Sequence, residues 1–355
     1  MPAVSRPLRL AAVTVTAGLI SLCSAPSAFA DKTNPGAGAL GGGSGSETDT
    51  SASAAADGGK LSASVSGAIV FDRSDNGNGE STGALTSTTS WTPPACYYAP
   101  KYTPKELEAQ MKQAWSSSAP SHEWILASQN YYVNGDPYKD FNKDKADEGY
   151  WWDSYVTEGR EADPAAQDCD REQSFWVGKR DAPPADVPQA ITPEMLAQLA
   201  YAEIRVPSTK VELAPEGTTK VNLPTWAWLD TTKFKPVSVT ASVPILGLSA
   251  TTTAEPLSVK IAPGTDDAVT YPASGECENL DGHIGQPYRQ GNADQTPPCG
   301  VKYLRSSGDS SYKLQATITW KISWTSTTGQ GGGLPNGTFG AGQDVVVQEI
   351  QAVNR

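Results

Sequence analysis

The stretch Tyr312-Lys313-Leu314-Gln315-Ala316-Thr317-Ile318-Thr319-Trp320-Lys321-Ile322-Ser323-Trp324-Thr325 reads YKLQATITWKISWT. Every even position is apolar and every odd position is polar. A period of two predicts a β-strand with one dry face and one wet face. That asymmetry predicts antiparallel neighbours. At ~3.3 Å per residue the run reaches roughly 40 Å, so it is expected to bend or to cross between sheets.

Val237, Val239, Ala241, Val243 and Ile245 alternate in the same way, as do Leu257, Val259 and Ile261. Residues 344–353, DVVVQEIQAV, read as a closing strand, and Leu334 to Thr338, LPNGT, as a loop. Strands separated by Gly, Pro and Asp turns predict an antiparallel β-sandwich over 211–355.

Upstream the period changes. Thr103-Pro104-Lys105-Glu106 has an N-cap threonine, a first-turn proline and the glutamate of a capping box. Leu107, Met111 and Trp115 follow at intervals of four, which predicts an amphipathic helix. Thr192-Pro193-Glu194 starts a second helix, with Met195, Leu196, Leu199 and Ala200 as its apolar face and Val206-Pro207 as its end. Asp163-Pro164 is a weaker start for a short helix carrying Cys169. The rest of 91–185 holds many aromatic residues and turn formers without a clean period. It reads as a mostly helical or irregular, disulfide-tied region, followed by a linker and helix at 186–210. The fold class is therefore α+β, with the aromatic-rich region first and the sandwich last.

Residues 1–30 have the form of a signal peptide. Arg6 and Arg9 precede an apolar run, and Ala28-Phe29-Ala30 is a cleavage signal, so processing is expected after Ala30. Leu22 stands where a lipobox takes a small residue, so Cys23 is not expected to be lipidated. Residues 31–90 are a low-complexity, flexible leader with one plausible strand at 61–72. No later segment reaches the ~18 apolar residues of a membrane helix. The formal charge of −12 disfavours nucleic acid and anionic polymers as partners. The expected location is extracellular.

Cys96, Cys169, Cys277 and Cys299 remain after cleavage. An even number in an exported chain implies disulfides, with three connectivities open. Proximity along the chain favours Cys96–Cys169 and Cys277–Cys299. No C-x-x-C occurs, so a structural zinc site is not expected.

VNLPTWAWLD at 221–230, VSVTASVP at 237–244, Cys299-Gly300-Val301-Lys302-Tyr303 and ATITWKISW at 316–324 together resemble a group of exported proteins of unassigned function from Gram-positive bacteria. The likeness runs from about residue 90 onward. The part from about 221 to 353 resembles the PKD type of immunoglobulin-like sandwich. Where PKD domains carry a Gly-Asp-Gly turn, this chain reads Ala262-Pro263-Gly264-Thr265-Asp266-Asp267. The resemblance implies surface adhesion or spacing, and it carries over no catalytic residues.

Three constellations could carry chemistry. Trp226 and Trp228 share one face of a strand, with Val221, Leu223, Ala227 and Leu229 on the core side. They are either covered by the aromatic-rich region or open as a platform for a sugar. Each indole buries ~200 Å², which favours covering. Asp140, Asn142 and Asp144, with Glu148, begin like a calcium loop of alternate oxygen ligands. Lys145 and Trp151 stand where such a loop needs glycine and a bidentate glutamate, so a solvated turn is favoured. Asp147, Glu148, Asp153 and Glu158 lie among aromatics and are the best candidates for a glycosidase carboxylate pair. His122-Glu123 lacks the second histidine of a zinc helix, because position 126 is Leu. His122 and His283 both read as exposed loop residues. No phosphate-binding loop or nucleophile elbow is present. The leading expectation is a non-catalytic extracellular interaction or spacer module without a cofactor. A carbohydrate-binding protein using Trp226 and Trp228, and a secreted glycoside hydrolase, are the alternatives.

Overall fold

The computed structural model describes residues 68–77, 82–118, 120–169, 173–208 and 210–350. The expected signal peptide, and residues 61–67 of the expected first strand, lie outside them. The protein is β-rich, with several antiparallel sheets and few helices.

Tyr312–Ser326 is a single strand, and its buried positions are the even ones. Leu314, Ala316, Ile318 and Trp320 are fully buried, and Ile322 nearly so. The strand sits inside the largest sheet, between Leu248–Ala262 and Gly331–Gln348. Val237–Val243 and then Val70–Asp72 extend the sheet on the first side, and Thr86–Ser87 borders the other.

Two irregularities flank one level of the central strand. Pro256 faces Trp320 while Ser258 faces Thr319, which leaves Leu257 as an extra residue. On the opposite side Trp320 faces Gly337 and Ile322 faces Leu334. A bulge bends a strand and reverses the parity of its side chains. Hence Ala250, Thr252 and Ala254 are buried before the bulge, and Val259 and Ile261 after it. Leu257 is 41% exposed, which corrects its place in the expected apolar row. Ile245 is also exposed, because its strand stops at Val243 and gives way to the turn Pro244–Leu246.

Two partners complete the main core. One is the helix Pro193–Glu203. Near the far end, the four-stranded sheet Ala268–Tyr271, Gly300–Tyr303, Pro224–Trp228, Glu212–Ala214 contributes Val301, Tyr303, Ala227 and Leu213. Tyr303 stacks on Tyr312 of the central strand, with centroids 5.3 Å apart. The expected LPNGT loop is instead the middle of the Gly331–Gln348 strand. Glycine serves there for space: a Cβ at Gly337 would lie 2.7 Å from the Tyr201 hydroxyl and 2.9 Å from Leu85 Cβ.

Three α-helices are present among the described residues: α1 (Pro104–Ser116), α2 (His122–Tyr132) and α3 (Pro193–Glu203). The capping box at Thr103 and Glu106 forms as expected, and Leu107 and Met111 are buried. Thr192 caps α3, whose Leu196, Ala197, Leu199 and Ala200 pack on the main sheet. Thr252 Oγ1 donates to the Ala197 carbonyl at 2.8 Å across that contact. The Asp163-Pro164 start yields a 3-10 turn, Pro164–Asp168, that ends just before Cys169.

The aromatic-rich region is more regular than its sequence pattern implies. Cys96–Tyr102, Gly149–Val156 and Phe175–Gly178 form an antiparallel sheet. Both faces of this sheet are covered, so no polar–apolar alternation marks it. Cys96–Cys169 and Cys277–Cys299 are both bridged, and the structure thus has the pairing that proximity favoured. The bridges are consistent with an extracellular protein. No helix of the described residues is long and apolar enough to cross a membrane.

Candidate functional site

Trp226 is 3% exposed and Trp228 is half-buried. Thr225 and Ala227 on the neighbouring face are fully buried. The cover over Trp226 is local. Tyr288 meets it edge-on, with centroids 5.9 Å apart. Gly285 bridges to Trp228, and Pro297 lies beside Gly300, the strand partner of Trp226. These residues belong to the loop that Cys277–Cys299 closes. The expected cover by the aromatic-rich region is therefore corrected: a disulfide-tied loop supplies it. With Trp226 closed over, the two indoles do not form an open pair.

The calcium-like segment folds for another reason. Asp140, Phe141 and Asn142 have φ of 43°, 58° and 55°, a left-handed turn. Asp and Asn tolerate that region better than most residues. The turn drives Phe141 into a small aromatic core beside Tyr132 and Trp151, and Trp151 Nε1 donates to the Phe141 carbonyl at 3.0 Å. Asn142 is buried, Asp140 and Asp144 are exposed, and so is Glu148. Lys143 Nζ pairs with Asp140 at 3.0 Å and with Glu108 of α1 at 2.8 Å. Glu108, bonded by Lys112 and Lys143, is held below the ordinary carboxylate range. The exposed Asp140 carboxylate thus faces an ammonium group, and the segment forms the turn that the sequence reading favoured. Among the described residues, no group of three or more His, Cys, Asp or Glu side chains is arranged to hold a metal ion.

The four acidic candidates are not equivalent. Asp153 is 6% exposed. It accepts from Ser174 Oγ at 2.8 Å and from the Ser154 amide at 2.6 Å. Asp147, Glu148 and Glu158 are exposed in turns. His283 is exposed beside a hairpin turn, but His122 is the first residue of α2, capped by Ser121, rather than part of a loop.

Two cavities are lined by residues outside these sets. The smaller, about 190 Å³, lies at the Pro256 bulge between Phe234 and Ile284. The larger, about 360 Å³, lies where the 85–93 segment passes the C-terminal turn of α3. Trp91 and Tyr201 stack there, 5.1 Å between centroids and 8° between planes. Tyr201 is 4% exposed, and its hydroxyl has no hydrogen-bond partner among the described residues. Burial pushes that phenol up to about 12. Ser87 and Thr89 also line it, their hydroxyls 3.2 Å apart. Among the described residues, no ionisable acid or base other than the tyrosine lines this cavity. Sequence reading missed it because Trp91 and Tyr201 are far apart in the chain. The one available signal is a lone tryptophan in the hydroxyl-rich run TSTTSWTP, 86–93.

Comparison of the chain with family models, curated proteins and solved structures returns no match.

Proposed function

We propose that the chain is an exported, non-catalytic protein, an interaction or spacer module of the cell surface or its surroundings. Its two larger sheets, sharing one core, are read as an immunoglobulin-like sandwich of the PKD kind, in keeping with the sequence resemblance. The observation that carries the reading is the bridging of Cys96, Cys169, Cys277 and Cys299 in two pairs. Such bonds persist in oxidising compartments outside the cytosol. The aromatic residues support it too, since most are used as packing between sheets and helices. The acidic side chains next to them support a structural role: Asp153 is taken up by serine, and Asp140 by lysine.

Expression of the full chain in an exporting Gram-positive host tests the reading. The expected product starts at Asp31, lies outside the cell, has no alkylatable thiol, and sediments with purified cell envelopes without releasing reducing sugar from them. A cytoplasmic product with reactive thiols would overturn the location. Envelope polysaccharide hydrolysis lost on Asp153→Asn would overturn the non-catalytic reading.

A further inference from the structure

We propose that the outer edge of the Gly331–Gln348 strand, at Gly331 to Gly333, pairs with the same edge of a second copy of this chain. The inference goes beyond the reading of an exported interaction module and does not depend on it.

The argument starts from the backbone. Along one side this strand pairs with Tyr312–Ser326. On the other side, among the described residues, its strand partners are Thr86–Ser87 at Gly337 and Thr338, and Thr218–Lys220 at Val346 to Gln348. Thr88 adds a bond to the Asn336 carbonyl at 2.8 Å. The edge before Asn336 has no strand beside it there, and Gly331, Gly332 and Gly333 are all exposed. The hairpin decides where their peptide groups point. Its turn closes with the Ser326 amide donating to the Gln330 carbonyl at 2.9 Å. An antiparallel ladder alternates bonded and non-bonded pairs. Gly332, opposite Trp324, therefore bonds inward. Gly331 and Gly333, opposite Thr325 and Ser323, turn their N–H and C=O groups outward. A row of such unpaired groups is a template for another strand.

Register and charge select the occupant. A two-fold axis at Gly332 sets Gly331 of each copy opposite Gly333 of the other. Each such pair exchanges two N–H···O bonds, so the outward groups at both positions are all used. The contact is self-complementary, as an isologous interface requires. Two copies of a chain at −12 repel, so they must meet where charge is absent. No charged residue lies between Lys321 and Asp344, and none lies between Lys235 and Glu255 in the next two strands across the sheet. Other sheet edges are guarded. Val70–Asp72 ends on an aspartate, Glu212–Ala214 starts on a glutamate, and Ala268–Tyr271 lies between Asp267 and Pro272. Charges and prolines of this kind keep edges from pairing. The Gly331 edge carries neither until Pro335. A contact of so few residues is small, and the dimer it makes is weak and reversible.

The test is sedimentation of the full mature protein over a dilution series, with hydrogen exchange read at single amides. A dimer that dissociates on dilution is expected. The Gly331 and Gly333 amides should be protected in the dimer and exchange freely in the monomer, while the Gly332 amide stays protected in both. Gly333→Pro removes an outward N–H and no bond to the Tyr312–Ser326 strand. It should keep the near-ultraviolet circular dichroism of the parent and sediment as a monomer throughout. Gly333→Lys is the second variant, since a Cβ there lies an unstrained 3.8 Å from the Ile322 carbonyl oxygen. It sets two ammonium groups diagonally across the axis, so its dimer should weaken at low salt and recover at high salt; this variant decides if Gly333→Pro does not fold. A monomer at every concentration would overturn the proposal. So would a dimer that both folded variants leave unchanged. Gly331 and Gly333 amides protected equally in the monomer would show the edge filled from within the chain, which overturns it too.

Discussion

Trp151 and Trp152 are chain neighbours that belong to different cores. Trp151 is buried with Leu107, Met111, Tyr132 and Phe141, beneath α1 and α2. Trp152 is buried in the large core, with Tyr98, Phe175 and the residues of the main sheet. Successive side chains of a strand point to opposite faces, so Gly149–Val156 is the wall between the two clusters.

The two indoles should therefore fail differently. Replacing a buried Trp by Ala costs about 3–5 kcal/mol. Trp151→Ala should loosen α1, α2 and the 140–145 turn while the central strand stays protected. Trp152→Ala should lower protection in Tyr312–Ser326 as well. Hydrogen exchange resolved by residue distinguishes them, and identical protection maps for the two variants would contradict the two-core description.

Which elements could be read from sequence follows from how each is covered. The 312–325 run was legible because only one of its faces is dry. Helices α1 and α3 were legible because Thr103 and Thr192 cap them next to a proline. The Gly149–Val156 strand was not, since covering both faces erases the alternation. Helix α2 hid because the middle of its buried stripe is Ser128, which accepts from Trp115 Nε1 at 2.7 Å. The Gly331–Gln348 strand was legible only in its last residues, read as part of a closing strand at 344–353; its earlier part hid because its glycines answer to space, a tertiary demand. Of the candidate site, the chemistry of Trp91 was visible but its meeting with Tyr201 was not. Asp140 and Asn142 read two ways in sequence because calcium loops and left-handed turns draw on the same residue types.

The bridge between Cys277 and Cys299, 22 residues apart, holds the cover of Trp226. Closing a loop of that length stabilises by about 3 kcal/mol in the chain-entropy account. The double variant Cys277→Ala, Cys299→Ala should lose about that much. It should also shift indole emission to the red as water reaches Trp226, a shift absent when Trp226→Phe is added. A stable variant with unchanged emission would mean that the loop stays closed without its bridge.

Gly337 should resist substitution although it lies in a strand, where side chains are normally welcome. Its Cβ would press on the Tyr201 hydroxyl and on Leu85. Overpacking of this kind costs typically about 1–3 kcal/mol. Gly337→Ala should lower the melting temperature, and adding Tyr201→Phe should restore part of it by removing the nearest clashing atom. Equal losses in the single and double variants would place the strain elsewhere.

The tyrosines set the behaviour of the protein in alkali. Burial raises the phenols of Tyr97, Tyr102, Tyr132, Tyr155 and Tyr303 well above the ordinary value of 10.0. For Tyr102 and Tyr155 the nearby Asp153 carboxylate adds to it. Tyr201 rises to about 12. In the unfolded chain these groups ionise near 10, so above that pH the unfolded state releases protons that the folded state keeps. Their contribution to stability is complete below pH 10 and is lost as pH climbs towards the folded values. Tyrosinate absorbance of this group should therefore appear together with the loss of near-ultraviolet circular dichroism, in one cooperative step above pH 10. Tyr102→Phe should make the decline in stability with pH shallower, since one ionising group is gone. Gradual tyrosinate formation around pH 10 by all the tyrosines, with the dichroism intact, would show that these phenols are open to solvent and would undo the burial assigned to them.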